Sequence, residues 1–196
     1  GEIFGVSKNI NIAIFGKGLV GGTLIEQILK SKKNILKRKN IQLNVFAVGN
    51  STKVVLNKKG VSDNWDEKLV SDGVENYTVK DVIEFADKHH LENLIAIDNT
   101  ASEAFVQNYI ELVENGSDLI SSNKVGHTLS YDFYKELREK LAKNRKSYLY
   151  ETNVGAGLPL IDTIKVLHDS GENITRIRGV FSGSLSYLFN NFSVQN

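Results

Sequence analysis

Ile10–Gly22 reads INIAIFGKGLVGG: a short apolar run, a glycine-spaced loop, and the start of a helical pattern. Ile10 to Phe15 has the look of a fully buried strand. Leu24, Ile25, Ile28 and Leu29 then recur at helical spacing up to Lys30. Between the two, Gly16-Lys17-Gly18-Leu19-Val20-Gly21 matches G-x-G-x-x-G. That pattern means little alone, but between strand and helix it has a mechanism. The first glycine permits the tight turn, the second lets a pyrophosphate approach the backbone, and the third lets helix and strand pack closely. Unpaired N–H groups at the helix start then face the phosphates. Phe15, Gly16, Gly18, Leu19, Val20 and Gly21 are therefore the candidate cofactor-binding residues of a dinucleotide site.

Outward from this loop the chain alternates strand-like and helix-like segments. Ser31 to Asn40, rich in Lys and Asn, reads as a solvated connection. Ile41 to Val48 is a second strand, ending at Gly49-Asn50-Ser51. Thr78 with Asp81 forms a capping-box pattern ahead of Val82, Ile83 and Ala86. Leu94 to Ile97 is a strand closed by Asp98-Asn99-Thr100. Ser102 caps a helix with Phe105, Val106, Tyr109, Ile110 and Val113 on one face, stopped at Gly116. Leu119 and Ile120 make a short strand, and Ser130 opens a helix whose Phe133, Leu137 and Leu141 face inward. Tyr148 to Tyr150 is another strand, and Pro159 stands as the first residue of a further helix. Strand and helix by turns call for an α/β fold: a Rossmann-type, doubly wound parallel sheet over residues 1–150. Residues 151–196 lie beyond that pattern, and only the family likeness carried by the motifs below implies that they begin an α+β catalytic domain.

Composition removes several classes of function. The 196 residues are 41% hydrophobic and 24% charged, with 9 Phe and 7 Tyr, which excludes a disordered chain. No run approaches the roughly 18 apolar residues of a membrane span. Twenty-four basic residues against 23 acidic ones leave a net charge of +1, so no nucleic-acid footprint is expected. The absence of cysteine excludes disulfides, zinc–thiolate sites and thiol nucleophiles. No signal-peptide pattern stands at the start, and a cytoplasmic home is the expectation. The first residue is Gly rather than Met, as in a piece cut from a longer protein.

The end of the second strand bears on cofactor choice. NAD-selective sites usually place a carboxylate there for the ribose 2′-OH. Here the segment reads Gly49-Asn50-Ser51-Thr52-Lys53. Asn50 is the candidate contact, and neutral and basic residues tolerate a 2′-phosphate. NADP(H) is favoured over NAD(H).

Four stretches carry a family likeness: Asp98-Asn99-Thr100-Ala101-Ser102, Ser122-Asn123-Lys124, Thr152–Pro159 (TNVGAGLP) and Gly179–Tyr187 (GVFSGSLSY). Together they resemble homoserine dehydrogenase, most of all the dehydrogenase part of the bifunctional aspartate kinase–homoserine dehydrogenases; Trp65 and the Asn50-Ser51 strand end fit that subgroup. The likeness implies that Thr100 contacts the nicotinamide side of the cofactor. It also implies that Lys124 lies beside cofactor and substrate as the catalytic residue. Val125 stands where the family often has a second basic residue. Glu151, with the main-chain oxygens of Val154, Ala156 and Leu158, corresponds to a monovalent-cation site for Na⁺ or K⁺, hard ions that prefer oxygen ligands. Gly183 and Ser184 match positions near the bound amino-acid substrate. His89, His90, His127 and His168 show no ligand spacing and receive no catalytic role.

The implied reaction is reversible hydride transfer between NAD(P)H and L-aspartate 4-semialdehyde, giving L-homoserine. In the family an acidic substrate-binding segment and a second lysine follow the FSGSLSY region. The chain reaches Asn196 before them, so it is expected to be mainly the cofactor-binding part, with little turnover by itself. The resemblance further implies a possible fused aspartate kinase domain and a homo-oligomeric full-length enzyme. A phosphorylating semialdehyde dehydrogenase would need a nucleophilic cysteine, which is absent. The competing reading is a regulatory module that senses a nicotinamide dinucleotide without catalysis. Such a module has no reason to carry TNVGAGLP or FSGSLSY.

Overall fold

The computed structural model describes residues 8–16, 19–123, 130–151 and 177–180. The chain divides into two compact units, Gly1–Ile95 and Ala96–Asn196. In the first, β1 (Lys8–Phe15) and β2 (Ile41–Gly49) run parallel, with Lys8 opposite Ile41 and Phe15 opposite Gly49. Every residue of β1 from Ile10 onward is buried, as expected of a parallel strand covered on both faces. The crossover between them is one long helix, α1 (Leu19–Lys39).

That helix corrects the sequence reading, which closed it at Lys30 and made Ser31–Asn40 a connection. Leu24, Ile25 and Ile28 are fully buried, and Ile35 extends their stripe one heptad further. Lys37, Arg38 and Lys39 stand in the last turn, where cations favour the helix dipole. Asn40 ends it in the left-handed region (φ 56°), its N–H donating to the Leu36 carbonyl at 3.0 Å. The lysine-rich segment that reads as solvated is the exposed face of this helix.

The chain then departs from the all-parallel expectation. β3 (Lys53–Leu56) pairs antiparallel with β2, and β4 (Val74–Glu75) antiparallel with β3. Between them α2 (Trp65–Asp72) buries Trp65 and Leu69. None of these elements was assigned from sequence. The Thr78–Asp81 capping box is formed as read: Asp81 N donates to Thr78 Oγ1 at 3.3 Å and Thr78 N to Asp81 Oδ2 at 2.8 Å. It opens α3 (Val79–Lys88), which buries Val79, Val82 and Ala86.

The strands β5 (Leu94–Asp98), which enters the second unit at Ala96, β6 (Ser117–Ser121), β7 (Tyr148–Glu151) and β8 (Ile177–Val180) follow one another in the sheet. The β6–β7 and β7–β8 pairs are parallel. The helix capped by Ser102 is in fact two, α4 (Glu103–Val106) and α5 (Tyr109–Glu114). Asn108 Nδ2 donates to the Phe105 carbonyl at 3.1 Å, a side-chain bond that competes with the helical ladder at the break. Of the stripe read from sequence, Val106, Tyr109 and Val113 are buried while Phe105 and Ile110 are half-buried, and Leu112, not read as part of it, joins the buried set. Gly116 (φ 95°) stops α5. Ser130 caps α6 (Tyr131–Asn144) through Phe133 N, and Leu137 and Leu141 are buried. Tyr134, not Phe133, is the third buried residue of that face. The helix read from Pro159 lies outside the described residues. The architecture is α/β and Rossmann-like, mostly parallel, with an antiparallel pair of strands added beside β2.

Candidate functional site

In the first unit the site begins where β1 ends. Gly16 takes φ 92°, a backbone conformation that side chains disfavour, and its N–H donates to the Gly49 carbonyl at 2.8 Å. The turn out of β1 is thereby tied to the end of β2. Phe15 is fully buried, so it can meet a ligand only through its backbone. Leu19, Val20 and Gly21 form the first turn of α1. Lys17 and Gly18 lie outside the described residues.

The end of β2 is a built turn. Asn50 Oδ1 accepts from Thr52 N (2.8 Å), Thr52 Oγ1 (3.1 Å) and Lys53 N (2.7 Å), leaving its Nδ2 without a hydrogen bond among the described residues. The Tyr77 hydroxyl donates to the Asn50 carbonyl at 2.8 Å, and burial pushes its pKa up to about 12. A β-carbon at Gly49 would run into that hydroxyl. Lys53, close to this turn in the sequence, is engaged elsewhere. Its Nζ donates to the Val70 carbonyl at 3.2 Å and lies 3.7 Å from Glu75, on the β4 side. The strand end therefore presents a neutral amide rather than a cation.

In the second unit the ends of β5 and β6 share one buried polar network. Asp98 is 3% exposed. Its Oδ1 accepts from Thr100 N (2.8 Å) and Thr100 Oγ1 (2.6 Å). Its Oδ2 accepts from the Tyr109 hydroxyl and from Asn123 Nδ2 (3.0 Å). The Tyr109 hydroxyl also lies 2.7 Å from Ser121 Oγ, which accepts from Asn123 N at 3.0 Å. Burial raises the Asp98 pKa while these donors oppose the rise; burial also holds the Tyr109 phenol neutral, well above its ordinary value. Beside the network, Asn99 Oδ1 accepts from Ser122 Oγ at 2.9 Å, while Asn99 Nδ2 is buried with no partner among the described residues. An orphaned buried amide costs free energy until something accepts from it. It is a donor at the carboxyl end of a strand, where open α/β sheets bind ligands.

Sequence reasoning selected Thr100 but missed Asp98, Tyr109 and Ser121. The available signal was a tyrosine in the buried stripe of a helix, whose hydroxyl needs a partner. Glu151 ends β7, its backbone in register with Val180. Lys124, Val154, Ala156, Leu158, Gly183 and Ser184 lie outside the described residues. Among the described residues no three His, Asp or Glu side chains cluster as metal ligands, and no helix is long and apolar enough to cross a membrane. His89 caps the C-terminus of α3, its ring against Phe85 with centroids 4.5 Å apart.

Comparison with known proteins adds the family. Residues 16–151 match the family model described as homoserine dehydrogenase, NAD binding domain. The chain is 35% identical over 189 residues to the bifunctional aspartokinase/homoserine dehydrogenase of Buchnera aphidicola, covering 95% of this chain and 23% of that protein. It is 33% identical over 187 residues to the homoserine dehydrogenase of Schizosaccharomyces pombe, covering 94% of this chain and 50% of the other. The chain thus spans about a quarter of the bifunctional relative and half of the yeast one. Among solved structures, the homoserine dehydrogenase of Thermoplasma acidophilum has a similar fold, with TM-score 0.58 and 19% identity over 74% of this chain and 44% of that one. A hyperthermophilic archaeal homoserine dehydrogenase in complex with NADPH superposes with TM-score 0.54 and 20% identity, over the same shares. With residues 16–151, more than two-thirds of its length, matched, this chain belongs to the homoserine dehydrogenase family and contains that family's NAD-binding domain.

Proposed function

We propose that the chain is the cofactor-binding part of an enzyme that interconverts L-homoserine and L-aspartate 4-semialdehyde with NADP(H) or NAD(H). The observation that carries this is the glycine turn at positive φ, tied to the end of β2 and opening α1, within a segment matched to the family. The backbone at Gly16, Gly18 and Gly21 and the first turn of α1, with Leu19 and Val20, receive the pyrophosphate. Asn50 binds the adenosine ribose. Thr100, beside the orphaned amide of Asn99, receives the nicotinamide end. When bound, the nicotinamide supplies or accepts the hydride. The chain's own residues hold it in place and, through Lys124, meet the substrate oxygen with positive charge. Gly183 and Ser184 hold polar groups of the amino acid. In this reading residues 1–150 are the cofactor domain and 151–196 open the catalytic domain. The whole enzyme is a cytoplasmic homo-oligomer with no nucleic-acid or membrane partner, and an aspartate kinase domain is fused to it. In the natural full-length protein, Lys124→Ala should lower NADPH oxidation by aspartate semialdehyde roughly hundredfold with unchanged folding. Undiminished turnover would remove Lys124 from the chemistry.

Glu151 and the carbonyls of Val154, Ala156 and Leu158 hold a monovalent cation in the same reading. Crystals soaked in rubidium should show an anomalous peak among these oxygens. A featureless map there would dismiss the ion.

Cofactor choice follows from the neutral turn at Asn50. Asn50→Asp keeps the acceptor for Thr52 and Lys53 while setting a charge against a 2′-phosphate. It should shift the NADPH to NADH affinity ratio toward NADH by at least about tenfold, as like charges in contact repel. An unmoved ratio in calorimetric titration would place the ribose elsewhere.

A further inference from the structure

We propose that Asp98 and Tyr109 are positioning residues: the buried carboxylate and phenol fix the loop that carries Thr100 and the segment leading to Lys124. This rests on the cofactor reading above and adds to it a part that acts without touching the ligand. A plain turn after β5 would need an acceptor for Thr100 N alone, which a neutral side chain supplies. Asp98 accepts four hydrogen bonds in two directions instead. One oxygen takes both donors of Thr100, and the other takes Tyr109 and Asn123. Asn123 is clamped a second time, through Nδ2 to the Ser102 carbonyl at 3.0 Å, and a third time through its N–H to Ser121 Oγ. The two strand ends are thus joined by side chains that are 0–3% exposed at Ser121, Asn123, Tyr109 and Asp98.

Among the described residues the four donors on Asp98 are all neutral groups. Burying a carboxylate without a cation beside it is costly, and a satisfied apolar replacement is often the more stable choice. The return is rigidity, because the oxygen that receives the Thr100 hydroxyl cannot move without breaking bonds to the other loop. The Thr100 hydroxyl is held from the other side as well, accepting from Ser102 N and from Asn123 Nδ2 at 3.4 Å each, so the backbone that carries Thr100 and the neighbouring Asn99 is fixed. Tyr109 is the support from behind, its ring 5.7 Å from that of Tyr148 and its hydroxyl aimed between Asp98 and Ser121.

The test separates the nicotinamide end of the cofactor from the rest. Wild type, Asp98→Asn and Tyr109→Phe are titrated with NADPH and with 2′-phospho-ADP-ribose, which lacks only the nicotinamide. Asp98→Asn should weaken NADPH roughly tenfold, the loss of one hydrogen bond to a charged group, while the nicotinamide-free ligand stays within about twofold. Tyr109→Phe should move the ratio of the two affinities in the same direction by a smaller factor. Equal weakening of both ligands would mean that Asp98 serves the fold alone, and no change in either would mean that it serves neither; both results overturn the proposal. If Asp98→Asn does not fold, the ratio in Tyr109→Phe decides the matter, an unchanged value overturning it. Failure of wild type to bind either ligand would instead defeat the cofactor reading itself.

Discussion

Gly18→Val is expected to abolish NADPH binding, raising Kd at least about a hundredfold, the equivalent of two charge-assisted hydrogen bonds. The loop leaves β1 through Gly16 at φ 92° and enters α1 at Leu19, so only two residues separate the strand's turn from the helix's free N–H groups. A phosphate at that helix end must pass close to the backbone between them. A branched side chain at Gly18 would occupy the approach and hold the phosphate away from its donors. Calorimetry with NADPH reads the affinity, and far-UV circular dichroism checks that α1 is still formed. A Gly18→Val protein that is folded and binds as wild type would show that the pyrophosphate lies elsewhere.

Ile28→Ala should have the largest effect on stability, about 3 kcal/mol. Ile28 is fully buried in the stripe that α1 turns inward, one of three such residues between Leu24 and Ile28. Truncation removes three carbons from a packed site and leaves a cavity, for which losses of about 2–5 kcal/mol are typical. The better helix propensity of alanine returns only a few tenths. For a chain of this size the midpoint of thermal unfolding should fall by about 10 °C. Lys33→Ala, at an exposed position of the same helix, is the control and should change little. Equal effects from the two substitutions would mean that α1 is not packed by this face.

Short-range signals were enough for much of the fold. Ile10–Phe15 and the glycines after it announce a buried strand and a phosphate loop, because burial on both faces removes alternation and a tight turn requires glycine. Thr78, Ser102 and Ser130 all cap helices as read, since a cap is made by groups within three residues of each other. Where one helix of the stripe Val106–Val113 becomes two, the buried positions remain those of a single periodic pattern. The stripe was legible, and the break at Asn108 was not.

Other features depend on partners far away in the chain. Ser31–Lys39 is polar enough to read as a connection, and its helix is decided by Ile35 finding the core. β3 and β4 are four and two residues long, too short for periodicity to show, and exist through pairing with β2 and with each other. Lys53 looks available to a phosphate in the linear sequence, but the Val70 carbonyl, 17 residues on, takes it away.

The sequence by itself determined the strand–glycine loop–helix unit, the helix caps, the family and hence the class of cofactor, since each is written in residues close together or in motifs of fixed spacing. Only the tertiary structure decided what Asp98 does. Tyr109 and Asn123 stand 11 and 25 residues beyond it, and nothing in their spacing brings them to one carboxylate. Their meeting is a consequence of β5 and β6 ending at the same level, where a buried charge must find every donor within reach.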